Sequence, residues 1–324
     1  MLCLKSVHKH FQPSQGLASE IAALWAKKKN LKSRIQAVKG IDLEVRAGEI
    51  LGLVGESGSG KSTLGRLMCG LYRPDQGQAL FEGRDMSLFT KAERKGFCAK
   101  VQYMFQDPAS SLNPRQTAKS ALAEGLAIHK LGTRAEKAAK VTRLMEEVGL
   151  SPELSSRYPH QFSGGQRQRL CLARALSLDP SLLIADEPAS ALDVSIQAQI
   201  IKLLLDLKER RGLTMVLISH DLALVCLMAD RIAVMYAGLL MEVFPRSLLG
   251  QVNHHPYVKA LWASIDSISR SDLILEGEPP DPQNPPAGCP FNPRCPEADE
   301  KCAHNEPQMA KAGEDRFCAC HKRP

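Results

Sequence analysis

Apolar and polar residues follow several distinct rhythms along the chain, and each rhythm predicts an element. Met1–Val7 alternates weakly and reads as a first strand. Val38–Val45 and Glu49–Val54 read as two further strands, parted by a turn at Ala47-Gly48. Residues 12–36 carry no such rhythm. They are polar and basic, contain Pro13 and Gly16, and read as a loop or insertion with room for a helix around Ala18–Lys28. A helix is expected from about Lys61 to Gly70. Residues 116–148 are rich in Ala, Glu and Lys, with apolar spacing near 3.6. They predict two helices split at Gly132-Thr133, within a helical subdomain of about 107–165.

Ser181–Ala185 and Leu213–Ser219 are short apolar runs bounded by Pro, Asp or Gly, the pattern of parallel strands buried on both faces. Between them Ser195–Arg211 places Ile196, Ile200, Leu203, Leu204 and Leu207 on one side of a helix. Strand, helix and strand in alternation predict an α/β domain with a mainly parallel sheet. After about residue 276 the run Glu278–Pro286 is too rich in proline for regular structure, and it introduces a cysteine-bearing tail. The expected organisation is therefore a domain over 1–276 and a Pro- and Cys-rich extension over 277–324.

Composition narrows the class. With 324 residues the chain can build its core without disulfides. A net charge of +7 is mildly basic, and the one dense cluster, Lys27–Lys29 through Arg34, reads as a solvated segment rather than a nucleic-acid stripe. The longest unbroken apolar candidate, Leu222–Ala229, is far short of the roughly 18–20 residues of a membrane helix. Met1–His10 shows no signal-peptide pattern. A cytoplasmic protein is expected, touching the membrane only through partners. Ten cysteines are present, five scattered singly and five within Cys289–Cys320, which raises metal ligation as an option.

The chemistry concentrates in a few motifs. Gly55-Glu56-Ser57-Gly58-Ser59-Gly60-Lys61-Ser62 fits G-x-x-x-x-G-K-S/T between a predicted strand and a predicted helix. Its glycines let successive N–H groups face a phosphate, Lys61 adds a fixed charge and Ser62 can ligate Mg²⁺. Asp186 and Glu187 end the apolar run from Leu182, where the first would orient the metal and the second would polarise a water. Gln106 and His220 each end a predicted strand and could reach the metal, the water or the γ-phosphate. Ser163-Gly164-Gly165-Gln166 opens an amphipathic stretch and offers a second anion-binding helix N-terminus.

The order Gly55–Thr63, Gln106, Ser163–Gln166, Asp186-Glu187, Ser190–Asp193, His220 resembles the Walker A, Q-loop, signature, Walker B, D-loop and H-loop of ABC-type ATPases. The resemblance covers about residues 2–265. It implies that two such domains close head to tail on ATP, so that Ser163, Gly164, Gly165 and Gln166 cap a nucleotide held by the partner. It also sets Phe11 where the family stacks an aromatic ring on adenine.

Longer stretches resemble the ATPase subunits of oligopeptide/dipeptide importers: Ser111–Arg115, Tyr158–Gln161 and His255–Leu261. Phe162 departs from the usual Leu and Ala189 from a common Thr, and neither removes a catalytic group. The resemblance implies a second ATPase subunit, a sister chain in preference to a second copy, two transmembrane permease subunits and, indirectly, an extracytoplasmic solute-binding protein, with no nucleic acid. It also implies a 4Fe–4S cluster on Cys289, Cys295, Cys302 and Cys320, with Zn²⁺ or no metal as alternatives that the spacing leaves open. A non-transport ABC ATPase acting on a nucleic-acid or enzyme complex is the alternative function, and a subunit that binds ATP without hydrolysing it is another.

Overall fold

The computed structural model describes residues 1–12, 35–190, 192–263, 277–281 and 283–323. The loop or helix expected within 12–36 falls largely outside the described residues, as do Ala191 and the boundary expected near residue 276. In chain order the elements begin with β1 (Leu2–Phe11), β2 (Ile35–Val45), β3 (Ile50–Val54), α1 (Lys61–Met68), β4 (Gln76–Phe81), β5 (Arg84–Asp85) and α2 (Lys91–Lys100). There follow β6 (Val101–Met104), α3 (Pro108–Ser111), α4 (Ala118–Ile128), α5 (Arg134–Glu147), α6 (Gly164–Leu176), β7 (Leu182–Asp186), α7 (Val194–Arg211) and β8 (Thr214–Ser219). The last are α8 (Leu222–Met228), β9 (Arg231–Tyr236), β10 (Leu239–Pro245), α9 (Pro256–Ala263), α10 (Glu300–His304), β11 (Ala310–Gly313) and β12 (Arg316–Cys318).

Two sheets carry the architecture. The smaller is antiparallel, in the order β2-β1-β4-β5. The larger runs β11-β12-β10-β9-β3-β8-β7-β6. Its strands from β9 to β6 are parallel, and β10, β12 and β11 extend it with antiparallel pairings.

The continuous apolar runs of the central strands follow from burial on both faces. Leu51, Leu53, Leu182, Ile184, Val216 and Ile218 enter one core with Leu64 and Leu67 of α1 and Leu2 and Leu4 of β1. The alternate residues Ile50, Leu183, Ala185, Met215 and Leu217 enter a second core with Leu170 and Leu172 of α6, Ile200 and Leu204 of α7, and Leu122, Val141 and Leu144 of α4 and α5. The parallel sheet is thus the wall between the two cores, and its strand ends project beyond both.

The helix predictions over 116–148 hold, for a local reason. Gly132 takes a positive φ of 72°, and Thr133 then caps α5 in a reciprocal box with Glu136. The tail does not stand apart as an extension. Strand β12 pairs with β10 at Glu242↔Cys318 and Val243↔Phe317, and Cys289, Phe291 and Cys302 join the second core. No helix among the described residues is long and apolar enough to cross a membrane.

Candidate nucleotide site

The loop from Gly55 to Gly60 leaves β3 and returns as the first turn of α1. Its path demands glycine at two points. At Gly55 a Cβ would lie 2.0 Å from the Met235 carbonyl oxygen. At Gly60, with φ 100°, it would lie 2.1 Å from the Ala37 carbonyl oxygen. Ser57, Gly58 and Ser59 form the tip between them, and Ser62 and Thr63 lie on the first turn of α1.

Lys61 is nearly enclosed, at 5% exposure. Its Nζ donates to the carbonyl oxygens of Gly55 and Glu56, each at 2.7 Å, so the ammonium is held inside the curl of the loop. Burial lowers its pKa, against the charges of Glu187, Asp186 and Glu56. An ammonium so poorly hydrated is ready to exchange carbonyl partners for phosphate oxygens.

Strand β7 brings both acids to the same place. The Ser62 hydroxyl donates to Asp186 Oδ1 at 3.0 Å, and the Tyr103 hydroxyl from β6 donates to Oδ2 at 2.6 Å. Burial raises the Asp186 pKa, the nearby Glu187 charge raises it further, and the two hydroxyl donors pull it back. Glu187 has a left-handed φ of 47°, and its N–H is held by the Ile218 carbonyl at 2.9 Å. That geometry turns the carboxylate off the end of the sheet. Gln106 Nε2 donates to its Oε2 at 2.7 Å, and Nδ1 of His220 lies 3.0 Å from Oε1. An ionised carboxylate can only accept at both contacts.

Gly55–Ser62, Gln106, Asp186, Glu187 and His220 therefore converge, although up to 165 positions separate them in the chain. Other expected residues do not join this hydrogen-bonded group. Ser163 caps α6, its hydroxyl accepting the Gln166 N–H at 3.3 Å while Gln166 Oε1 accepts the Ser163 N–H at 3.0 Å. Gly164 and Gly165 open that helix, and a Cβ on Gly165 would press to 2.7 Å from Ile196 on α7. Phe11, half-buried at the end of β1, meets Tyr72 edge-on with ring centroids 5.4 Å apart.

Sequence reasoning passed over several residues here. Tyr103 orients Asp186, Gln168 of α6 donates to the carbonyl of Pro188 beside Glu187, and Tyr257 and Arg294 touch Glu56. Tyr103 lay on the strand that ends before Gln106 and Tyr257 within the stretch His255–Leu261, but neither position signalled its contact. A cavity of about 320 Å³ opens beside the loop, lined among others by Glu56–Ser59, Ala37, Tyr236, Gly238, Pro279 and Pro286.

The expected metal cluster finds no support. Cys289, Cys295, Cys302 and Cys320 do line one cavity with His255, but its free volume is about 10 Å³, room for one water. Among the described residues no group of three or more His, Cys, Asp or Glu is arranged to hold a metal ion. All four are free thiols. Burial pushes the Cys289 thiol up to about 11 and raises Cys295 and Cys302 as well.

Comparison with known proteins accords with this geometry. The ABC transporter family matches residues 38–190, and the oligopeptide/dipeptide transporter C-terminal region matches residues 241–302. The chain is 47% identical over 297 residues to YkfD of Bacillus subtilis (strain 168), covering 90% of each protein. It is also 47% identical over 294 residues to the oligopeptide transport ATP-binding protein AppF of the same organism, covering 89% of each. Among solved structures it resembles the ATP-binding cassette MJ0796, dimeric and bound to ADP and Pi, at 27% identity and a TM-score of 0.64 over 76% of this chain and 99% of that one. With such identity along nine-tenths of its length, the chain belongs to the ABC transporter ATP-binding proteins of the oligopeptide/dipeptide type and is an ABC-type ATPase.

Proposed function

We propose that this chain binds and hydrolyses ATP to drive peptide import, with each motif in a defined role. Gly55–Ser62 cradles the phosphates, and Lys61 neutralises the β- and γ-phosphate oxygens. Ser62, Asp186 and Gln106 hold Mg²⁺. The pairing of Ser62 with a buried carboxylate whose pKa burial has raised supports that reading, because a cation there relieves the desolvated charge. When bound, the metal neutralises charge developing on the phosphates. Glu187 accepts a proton from the attacking water, and His220 positions that carboxylate and donates toward the γ-phosphate. Phe11 packs against adenine.

The observation that carries this reading is the Glu187 carboxylate held between Gln106 and His220, beside the pair of Ser62 and Asp186. A water bound there meets a base fixed at both oxygens. The experiment is ATP turnover by Glu187→Gln in the assembled transporter. A drop of about 10²-fold or more with ATP binding intact is expected for loss of a general base. Turnover at the wild-type rate would remove Glu187 from the mechanism.

The separation of Ser163–Gln166 from the hydrogen-bonded group supports a shared site. Their helix N-terminus, locally capped, faces a nucleotide on a second ATPase subunit, a sister chain or another copy. In this reading two permease subunits receive the closure of the pair, an extracytoplasmic solute-binding protein delivers the peptide, and the chain works at the cytoplasmic face of the membrane. Residues 1–276 form the cassette and 277–324 its C-terminal region.

A further inference from the structure

Arg294 ties the C-terminal residues to the phosphate-binding loop. Arg294 closes a short 3-10 turn, Asn292–Arg294, directly before Cys295. Its Nη1 donates to Glu56 Oε2 at 2.8 Å and to the Tyr236 hydroxyl at 3.1 Å. The Arg294 side chain is only 7% exposed and that of Glu56 22%. Tyr257 of α9 makes a second tie, its hydroxyl oxygen accepting the Glu56 backbone N–H at 3.0 Å. Behind these contacts the rings of Tyr236, Tyr257 and Phe291 pack at centroid distances of 4.7, 5.4 and 5.2 Å, and all three are fully buried. Both the main chain and the side chain of Glu56 are therefore fixed by residues remote in sequence.

Glu56 is an awkward residue for an anion site. A bare carboxylate in the loop would repel a nucleoside triphosphate and compete with it for the ammonium of Lys61, which already feels the Glu56 charge. The guanidinium of Arg294 cancels that charge where little water screens the pair. Burial works to lower the pKa of Arg294, but hydrogen bonds to Glu56 and Tyr236 outweigh it and keep the group charged.

We propose that Arg294 is a positioning residue for ATP binding, neutralising Glu56 and, with Tyr257, holding the phosphate-binding loop in shape. Docking of the C-terminal residues then sets the ATP affinity, and bound ATP in turn strengthens that docking by the same factor. The inference rests on the reading of Gly55–Ser62 as the ATP cradle.

The test is titration of the full chain with ATP and Mg²⁺, together with turnover at varied ATP in the assembled transporter. Arg294→Met is expected to weaken ATP about tenfold, the weight of one desolvated charge pair. KM should rise while kcat holds, since Arg294 touches no reacting atom. Glu56→Gln leaves the guanidinium unopposed and should tighten ATP, a result that does not depend on any variant at 294 folding. The double variant should recover most of what Arg294→Met loses. The proposal is overturned if folded Arg294→Met binds ATP as wild type does, if Glu56→Gln weakens ATP, or if the double variant stays as weak as Arg294→Met. Lys61→Ala separates the two readings. If it binds ATP as tightly as wild type, the cradle assignment itself fails. If it abolishes binding while Arg294→Met changes nothing, only the role of Arg294 fails.

Discussion

Two residues of the site show how strain and burial are spent on function. At Gly60 the left-handed φ and the Ala37 carbonyl leave no room for a side chain. Gly60→Ala should cost at least about 2 kcal/mol and abolish ATP binding, read by thermal melting and titration. Asp186 presents the opposite case. Its carboxyl is raised by burial, so its ionised form is a debt that the fold carries. A raised acid favours the fold below its unfolded value, near 3.8, and loses that contribution as pH rises through the folded pKa. Asp186→Asn should therefore melt a few degrees higher than wild type at neutral pH, with turnover lost, and the two curves should converge in acid. Equal melting at every pH would contradict the assignment. At this scale the sequence was most legible: Lys61, Ser62, Asp186 and Glu187 lie within contiguous motifs that the fold brings together. Tyr103, Arg294 and Tyr257 were not, because their roles come from strand order and docking rather than from neighbours in the chain.

Among the elements, the buried parallel strands and the helices over 116–148 announced themselves through unbroken apolar runs, helical spacing and capping residues. Strands β4, β9 and β10 did not, and neither did β11 and β12. In β10 the buried charge of Glu242 breaks the apolar run, and of the tail strands β12 is held by pairing to β10 and β11 by pairing to β12. The anchor for that edge is Glu242. It is fully buried, and Arg316 Nε donates to it at 2.8 Å, the His255 N–H at 2.7 Å, and His254 Nδ1 lies 2.9 Å away. Burial works to raise its pKa, but the His254 and Arg316 contacts and the His255 N–H hold it below the usual carboxylate range. A lowered acid stabilises the fold above its unfolded value, near 4.5, and that contribution is lost as pH falls. Glu242→Gln should cost about 3 kcal/mol at neutral pH by leaving a buried guanidinium without its counter-charge. The gap from wild type should shrink below pH 4.5 in denaturant titrations, and a constant gap would contradict the ion-pair account.

For the whole molecule, the cassette carries the fold, and the C-terminal residues complete it by extending the sheet and gripping the phosphate-binding loop. The family could be read from the motif order, but the cysteine cluster expected in the tail could not be placed as a metal site, because sequence spacing does not report how four side chains close around a cavity. The central claim is that this chain lends one half-site and receives another. The most direct measurement takes Ser163→Arg, compares ATP binding by the isolated chain with wild type, and then compares turnover in the assembled transporter. Affinity in the isolated chain should match wild type, because Ser163 touches none of its own phosphate-binding loop, whereas assembled turnover should fall at least about tenfold. Loss of ATP affinity in the isolated variant, or full turnover in the assembly, would contradict the shared site.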